Sequence, residues 1–198
     1  MSTEAVKELT IKASPATIFP YLVDPEKFVQ WMGTEVSVNP VPGGEFRVLC
    51  GGINPSAGEF VEIIPDQKVV FTFGWDLPGH PIPAGSTEVE ITLTPEGEHT
   101  LLRLIHRGLP DDAISDHLNG WNYYLGRLEK VINGVDPGPD SADLGQRPSM
   151  SQLKEVWHEV TGDLEVHPFG ASPDGRHLGF AFCGAMGCRI MVRGLDGP

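Results

Sequence analysis

Apolar and polar positions alternate along much of the chain, and the period of the alternation changes in an informative order. VKELTIKA (Val6–Ala13) carries Val6, Leu9 and Ile11 in an imperfect two-residue repeat, which predicts a first strand. Ser14 and Pro15 then read as an N-cap followed by proline at the first helical position. PATIFPYLV is expected to be one short helix, kinked at Pro20, where a backbone donor is missing. DPEKFVQWM repeats the device with Asp24 and Pro25 and puts Phe28, Trp31 and Met32 on one side.

After Gly33 the period becomes two. EVSVNP is a short strand, and Pro42–Gly44 a turn. EFRVLC sets Phe46, Val48 and Cys50 against Glu45, Arg47 and Leu49. GGINPSAG reads as a turn region, GEFVEIIP as the next strand. KVVFTFGWD places Val69, Phe71, Phe73 and Trp75 on one face. DLPGHPIPAG is a proline-rich loop. STEVEITLTP turns Val89, Ile91 and Leu93 one way and Glu88 and Glu90 the other. TLLRLIHRGL sets Leu102, Leu104 and His106 against Arg103, Ile105 and Arg107. Short turns join antiparallel neighbours, so these strands form an antiparallel sheet with one dry and one wet face. Opposite charges on the wet face can pair across strands, each pair contributing a few tenths of a kcal/mol.

The period then becomes helical. Asp111 and Asp112 suit the positive end of a helix dipole. Ile114, Leu118, Trp121, Leu125, Leu128 and Ile132 form one stripe, with His117, Gly120 and Tyr124 on its flank. Tyr123 and Gly126 fall on the far side. A glycine inside a helix costs about 0.5–1 kcal/mol relative to alanine. Gly120 is expected either to leave space beside Trp121 and Tyr124 or to permit close packing. Nothing in the sequence explains Gly126.

NGVDPGPDSADLGQRPSM breaks the pattern. The expected organisation is a domain over residues 1–134, a Gly/Pro/Asp-rich linker over 135–150, and an extension over 151–198. In the extension SQLKEVWHEV reads as a helix, and DLEVHPF, RHLGFAF and CRIMVRG as strands. It is too short to stand alone comfortably, so it is expected to dock on the main domain or to pair two chains as a homodimer.

Within 198 residues, 14 Lys and Arg face 27 Asp and Glu, a formal net charge of −13. That argues against a phosphate-binding surface, so no nucleic acid and no anionic membrane is expected as partner. No apolar run is long enough to span a bilayer, and the N-terminus has no signal core. Cys50, Cys183 and Cys188 read as reduced thiols, and the location as cytoplasmic.

An α+β order of strand, short helices, antiparallel strands and one long helix has one compact solution, a curved sheet wrapping the last helix. SPATIFPYLVDPEKFVQWMG, PGGEFRV, GEFVEIIPDQKVVFTFGW, STEVEITLTP, TLLRLIHRGL and GWNYYLGRLE together resemble the heat-shock-protein ATPase activator homologues of the START/Bet v 1-like (SRPBCC) superfamily, over residues 1–135. The resemblance implies a helix-grip fold with a cavity between sheet and helix. It implies binding of a small apolar or amphipathic molecule there. Its alternatives are a co-chaperone contacting a heat-shock ATPase, and a cyclase- or hydratase-type enzyme.

The expected cavity lining is aromatic and apolar: Phe46, Phe71, Phe73, Trp75, Leu104, Trp121 and Tyr124, with Trp31 closing one mouth and the His80 loop the other. The same residues could equally fill a solid core. His106 and His117 could orient a ligand's polar group or act as acid or base; alternatively each is a buried histidine held by the backbone. Cys50 reads as an apolar filler. His167, His177, Cys183 and Cys188 lack the spacing of a zinc knuckle, so no metal and no cofactor is expected. Gly-x-Gly-x-x-Gly, phosphate-loop, Gly-x-Ser-x-Gly and His-Glu-x-x-His patterns do not occur.

Overall fold

The computed structural model describes residues 4–141, 165–171, 177–184 and 187–194. The chain divides into two compact units, Met1–Gln146 and Arg147–Pro198. The first contains strands β1 (Glu4–Ile11), β2 (Glu35–Val38), β3 (Glu45–Cys50), β4 (Asn54–Ile64), β5 (Lys68–Phe73), β6 (Thr87–Glu96) and β7 (His99–Arg107). They form one antiparallel sheet in the order β1-β7-β6-β5-β4-β3-β2.

The expected two-residue periods hold on the inner face. Phe46, Val48 and Cys50, then Val69, Phe71 and Phe73, then Val89, Ile91 and Leu93, and Leu102, Leu104 and His106 are all buried. On the outer face Glu4 and Glu88 both register with Arg107, and Glu8 with Arg103. The Arg107 guanidinium lies 3.2 Å from Glu4 and 3.3 Å from Glu90, and Arg103 lies 3.2 Å from Glu8. These pairs are half-exposed, so solvent screens them and each adds little to stability. The outer face is not wholly wet: Val70 and Ile105 flank Glu90 in register and are buried.

Three expectations are corrected. The first strand begins at Glu4, so Ala5 faces inward and Val6 outward. The kinked helix is two separate turns, α1 (Pro15–Ile18) and α2 (Pro20–Val23), because Pro20 has no N–H to continue the ladder. The turn expected over 51–58 is shorter: β4 begins at Asn54 and pairs with β3 through Cys50 and Asn54. The third turn, α3 (Pro25–Phe28), starts as expected, with Asp24 Oδ1 accepting from Glu26 N–H at 2.9 Å.

A short 3-10 turn, Asp111–Ala113, leads into helix α4 (Ile114–Ile132). Trp121, Leu125 and Leu128 of its stripe are buried against the sheet, and Ile114, Leu118 and Ile132 are half-buried at its ends. A Cβ on Gly126 would meet nothing within 4 Å. Gly126 therefore lies over open space and has no packing role.

The second unit is described by its strands, β8 (Glu165–Ala171), β9 (His177–Gly184) and β10 (Gly187–Gly194), an antiparallel sheet in the order β10-β9-β8. Each overlaps an expected strand, with ends shifted by up to two residues, and Cys183 and Cys188 occupy facing register positions. The helix expected over 151–160 lies outside the described residues.

Candidate functional site

The grip of sheet on helix is filled at one end and hollow at the other. At the filled end Phe46 stacks on Phe71 at 4.2 Å, with Phe60 edge-on at 5.9 Å and Phe28 at 5.8 Å. Trp31 closes this cluster 4.9 Å from Phe28. It is wholly buried, and its Nε1–H donates to the Tyr21 carbonyl at 2.8 Å. Four expected lining residues, Trp31, Phe46, Phe71 and Leu104, therefore belong to solid core. The three short helices press Phe28 and Trp31 into this end and leave no room there.

The hollow end is a cavity of about 230 Å³. Phe73 and Trp75 form its sheet wall; His117, Gly120, Trp121 and Tyr124 form its helix wall. Gly120 is thus on the cavity, one of its two expected places. Met32 and Cys50 lie at the inner end. The loop after Trp75 covers it with His80, Pro81 and Ile82, as expected of the His80 loop. Gly74 allows that loop to return: a Cβ there would overlap the Pro83 carbonyl. Trp75 N–H then donates to Ile82 O, and Ile82 N–H to His80 Nδ1 at 3.0 Å. Asp112 and Asp116 put negative charge on the opposite lip.

The two candidate histidines have different fates. His106 is wholly buried behind the cavity wall. Thr87 Oγ1 donates to Phe73 O at 2.7 Å, so it accepts from His106 Nε2–H at 2.8 Å. His106 Nδ1 accepts from Trp121 Nε1–H at 3.1 Å. Both ring nitrogens are satisfied in one neutral tautomer. Burial, with a smaller contribution from His117, pushes the imidazole down to about 3. His106 does not line the cavity; it holds the Trp121 indole in place.

His117 does line it. Its Nδ1 lies 2.9 Å from the Ala113 carbonyl, which can only accept, so the proton is on Nδ1 and Nε2 offers a lone pair. Burial pushes this imidazole below its ordinary value, against the Ala113 carbonyl and Asp116, which pull upward. Its Nε2 is buried and has no hydrogen-bond partner within the protein. The same is true of Trp75 Nε1–H. The two rings stand 6.3 Å apart.

Cys50 is unreactive as expected of a filler: burial pushes its thiol up to about 12. Burial also raises the Tyr124 phenol, which donates to Asp140 Oδ2 at 3.1 Å. Among the described residues no cluster of three or more His, Cys, Asp or Glu could hold a metal ion.

Arg127 and Asp140, which sequence reasoning passed over, complete the support. Arg127 is buried, donating to the carbonyls of Trp31 at 3.0 Å, Gly138 at 2.9 Å and Pro139 at 3.1 Å. Asp140 accepts from Gly33 N–H at 3.0 Å, Gly51 N–H at 2.9 Å, and both Tyr123 and Tyr124. The start of the stretch read as a linker, residues 135–141, is thus bound to the domain. The signal was present: His117, Gly120, Tyr124 and Arg127 step by three, four and three along one helix flank.

A curved antiparallel sheet closed over one long helix, with an apolar hollow between them, defines a helix-grip domain of the START/Bet v 1-like class. Residues 12–133 match the family described as Activator of Hsp90 ATPase homolog 1-like protein, and the chain belongs to that family. It is similar to the solution structure of an AHSA1-like protein from Rhizobium etli, at 42% identity and a TM-score of 0.55, covering 71% of this chain and 88% of that one. DynU16, a protein of the dynemicin biosynthetic locus, shares the fold at 18% identity and a TM-score of 0.63, covering 97% of this chain and 86% of its own. The Aha1 dimer from Colwellia psychrerythraea shares it at 21% identity and a TM-score of 0.57, covering 65% and 95%. No curated protein matches the chain. No helix among the described residues is long and apolar enough to cross a membrane.

Proposed function

We propose that this protein binds a small, largely apolar molecule in the cavity between β5, the loop after Trp75 and α4. The observation that carries the reading is the hollow itself. The filled end shows that the inner face can pack to full density, yet about 230 Å³ is left where Gly120 withholds a side chain. A cavity of roughly 150 Å³ accepts benzene, so this one accepts one or two fused rings. The walls are aromatic and apolar, as ligand sites are. The proposal is of binding. His106, fully partnered, and the Cys50 thiol, held protonated, offer no acid, base or nucleophile to a bound molecule.

The test is thermal melting and equilibrium dialysis with naphthalene and 2-naphthol, run beside Gly120→Leu, which fills the hollow from the helix side. Binding and a raised melting temperature in the natural chain, lost in a folded Gly120→Leu variant, support the reading. Equal binding by both chains, or by neither, refutes it. We further propose that residues 165–194 pair with a second copy, because three strands leave two sheet edges to cover. Native mass spectrometry showing a monomer at micromolar concentration would refute that pairing.

A further inference from the structure

We infer that the polar end of the ligand is one uncharged group that both accepts and donates a hydrogen bond, an alcohol, a phenol or an amide, seated between Trp75 Nε1–H and His117 Nε2. This deepens the binding reading and rests on it. An indole N–H can only donate. His117 Nε2 can only accept, because the other ring nitrogen gives its proton to the Ala113 carbonyl at 2.9 Å. Both atoms are buried without a protein partner and belong to residues lining the same cavity. Buried polar atoms are nearly always paired, so a donor and an acceptor left open on two residues of one cavity describe the missing partner. The two ring centres are 6.3 Å apart, so the open donor and the open acceptor belong to neighbouring rings.

The electrostatics narrow the class. Burial keeps His117 neutral near pH 7, so its ring presents no cation to an anion. Asp112 and Asp116 line the same cavity from its lip. A carboxylate would face both of these charges and the Nε2 lone pair, with one N–H to meet it. It would also leave its second oxygen unpaired in an apolar cavity. Phe73, Ile82 and Trp121, lining the same cavity, offer a ring system apolar contact. Trp121 Nε1–H is already spent on His106.

Three probes on one frame decide the matter: naphthalene, 2-naphthol and 2-naphthoate, each measured by equilibrium dialysis against the full chain. The expected order is naphthol tighter than naphthalene by about tenfold, with naphthoate weakest. Trp75→Phe and His117→Phe, each checked for retained melting temperature and circular dichroism, should lower naphthol affinity to that of naphthalene and leave naphthalene unchanged. Equal affinity for naphthol and naphthalene, or tightest binding of naphthoate, overturns the polar class while leaving cavity binding intact. Loss of naphthalene binding in both variants overturns it too, since the two side chains would then be acting as apolar wall. Binding of none of the three removes the cavity reading and this inference with it.

Discussion

His106 ties the stability of the fold to pH in a calculable way. Its unfolded value is 6.5, and in the native chain burial lowers it to about 3. Below pH 6.5 the unfolded chain takes up a proton that the folded chain refuses. Stability is therefore fully present above pH 6.5 and falls as the pH drops toward 3. Each pH unit inside that window costs about 1.4 kcal/mol, so acidifying to pH 4.5 costs about 3 kcal/mol through this one residue. That is a large part of a typical domain stability of about 5–15 kcal/mol. His117, also lowered, adds to the slope in the same direction. The assay is urea unfolding followed by tryptophan fluorescence from pH 7.5 to 4.5, for the natural chain and for His106→Gln. Glutamine can still accept from Trp121 and donate to Thr87 but does not titrate. The variant should start less stable near pH 7.5 and lose about 3 kcal/mol less on acidification. Parallel curves for the two chains would refute the reasoning.

Two further outcomes follow from named contacts. Gly126→Ala should stabilise the protein by about 0.5–1 kcal/mol, read as a rise in melting temperature, because the added Cβ meets nothing and the helix gains propensity. Unchanged or lowered stability would show that the glycine has a role the packing does not reveal. Asp140→Ala should cost about 3–5 kcal/mol in urea unfolding, since it orphans two backbone N–H groups and two phenols around a charged acceptor. A loss below about 1 kcal/mol would mean that water replaces the carboxylate and that the contact is peripheral.

The sheet was readable from the chain because a strand's side chains alternate, so Phe46, Phe71, Phe73 and Leu104 all declared an inward face. Which of them border a hollow was not readable, because a cavity wall and a packed core use the same residue types. The deciding fact is tertiary: Phe28 and Trp31 come down on the Phe46–Phe71 end and not on the Phe73 end. His106 and His117 illustrate the same limit. Each lies on an inward position by spacing, but only the fold brings Thr87 and Trp121 to both nitrogens of His106 and leaves Nε2 of His117 open. Pro20 divided a helix that periodicity alone joins. Arg127 was legible as a continuation of the His117–Tyr124 row and was overlooked because a cation on a buried flank has no meaning without its acceptors. Those acceptors lie in PGPD, a stretch whose composition reads as loose chain.

That last contact has a consequence for the order in which the protein assembles. Asp140 joins residues 107 and 89 positions earlier in the chain, at Gly33 and Gly51. Contacts of such span carry a loop-closure penalty that must be met before they return anything, as does the pairing of Glu4 with Arg107 in the sheet. On the ribosome the sheet and α4 are complete in sequence at Ile132, yet Arg127 emerges eleven or twelve residues ahead of the Gly138 and Pro139 carbonyls that receive it. Until then the nascent domain holds a guanidinium on its inner flank whose only backbone acceptor among these is Trp31. The closing step is the latching of residues 135–141 beside Trp31 and Gly33, onto an otherwise finished grip.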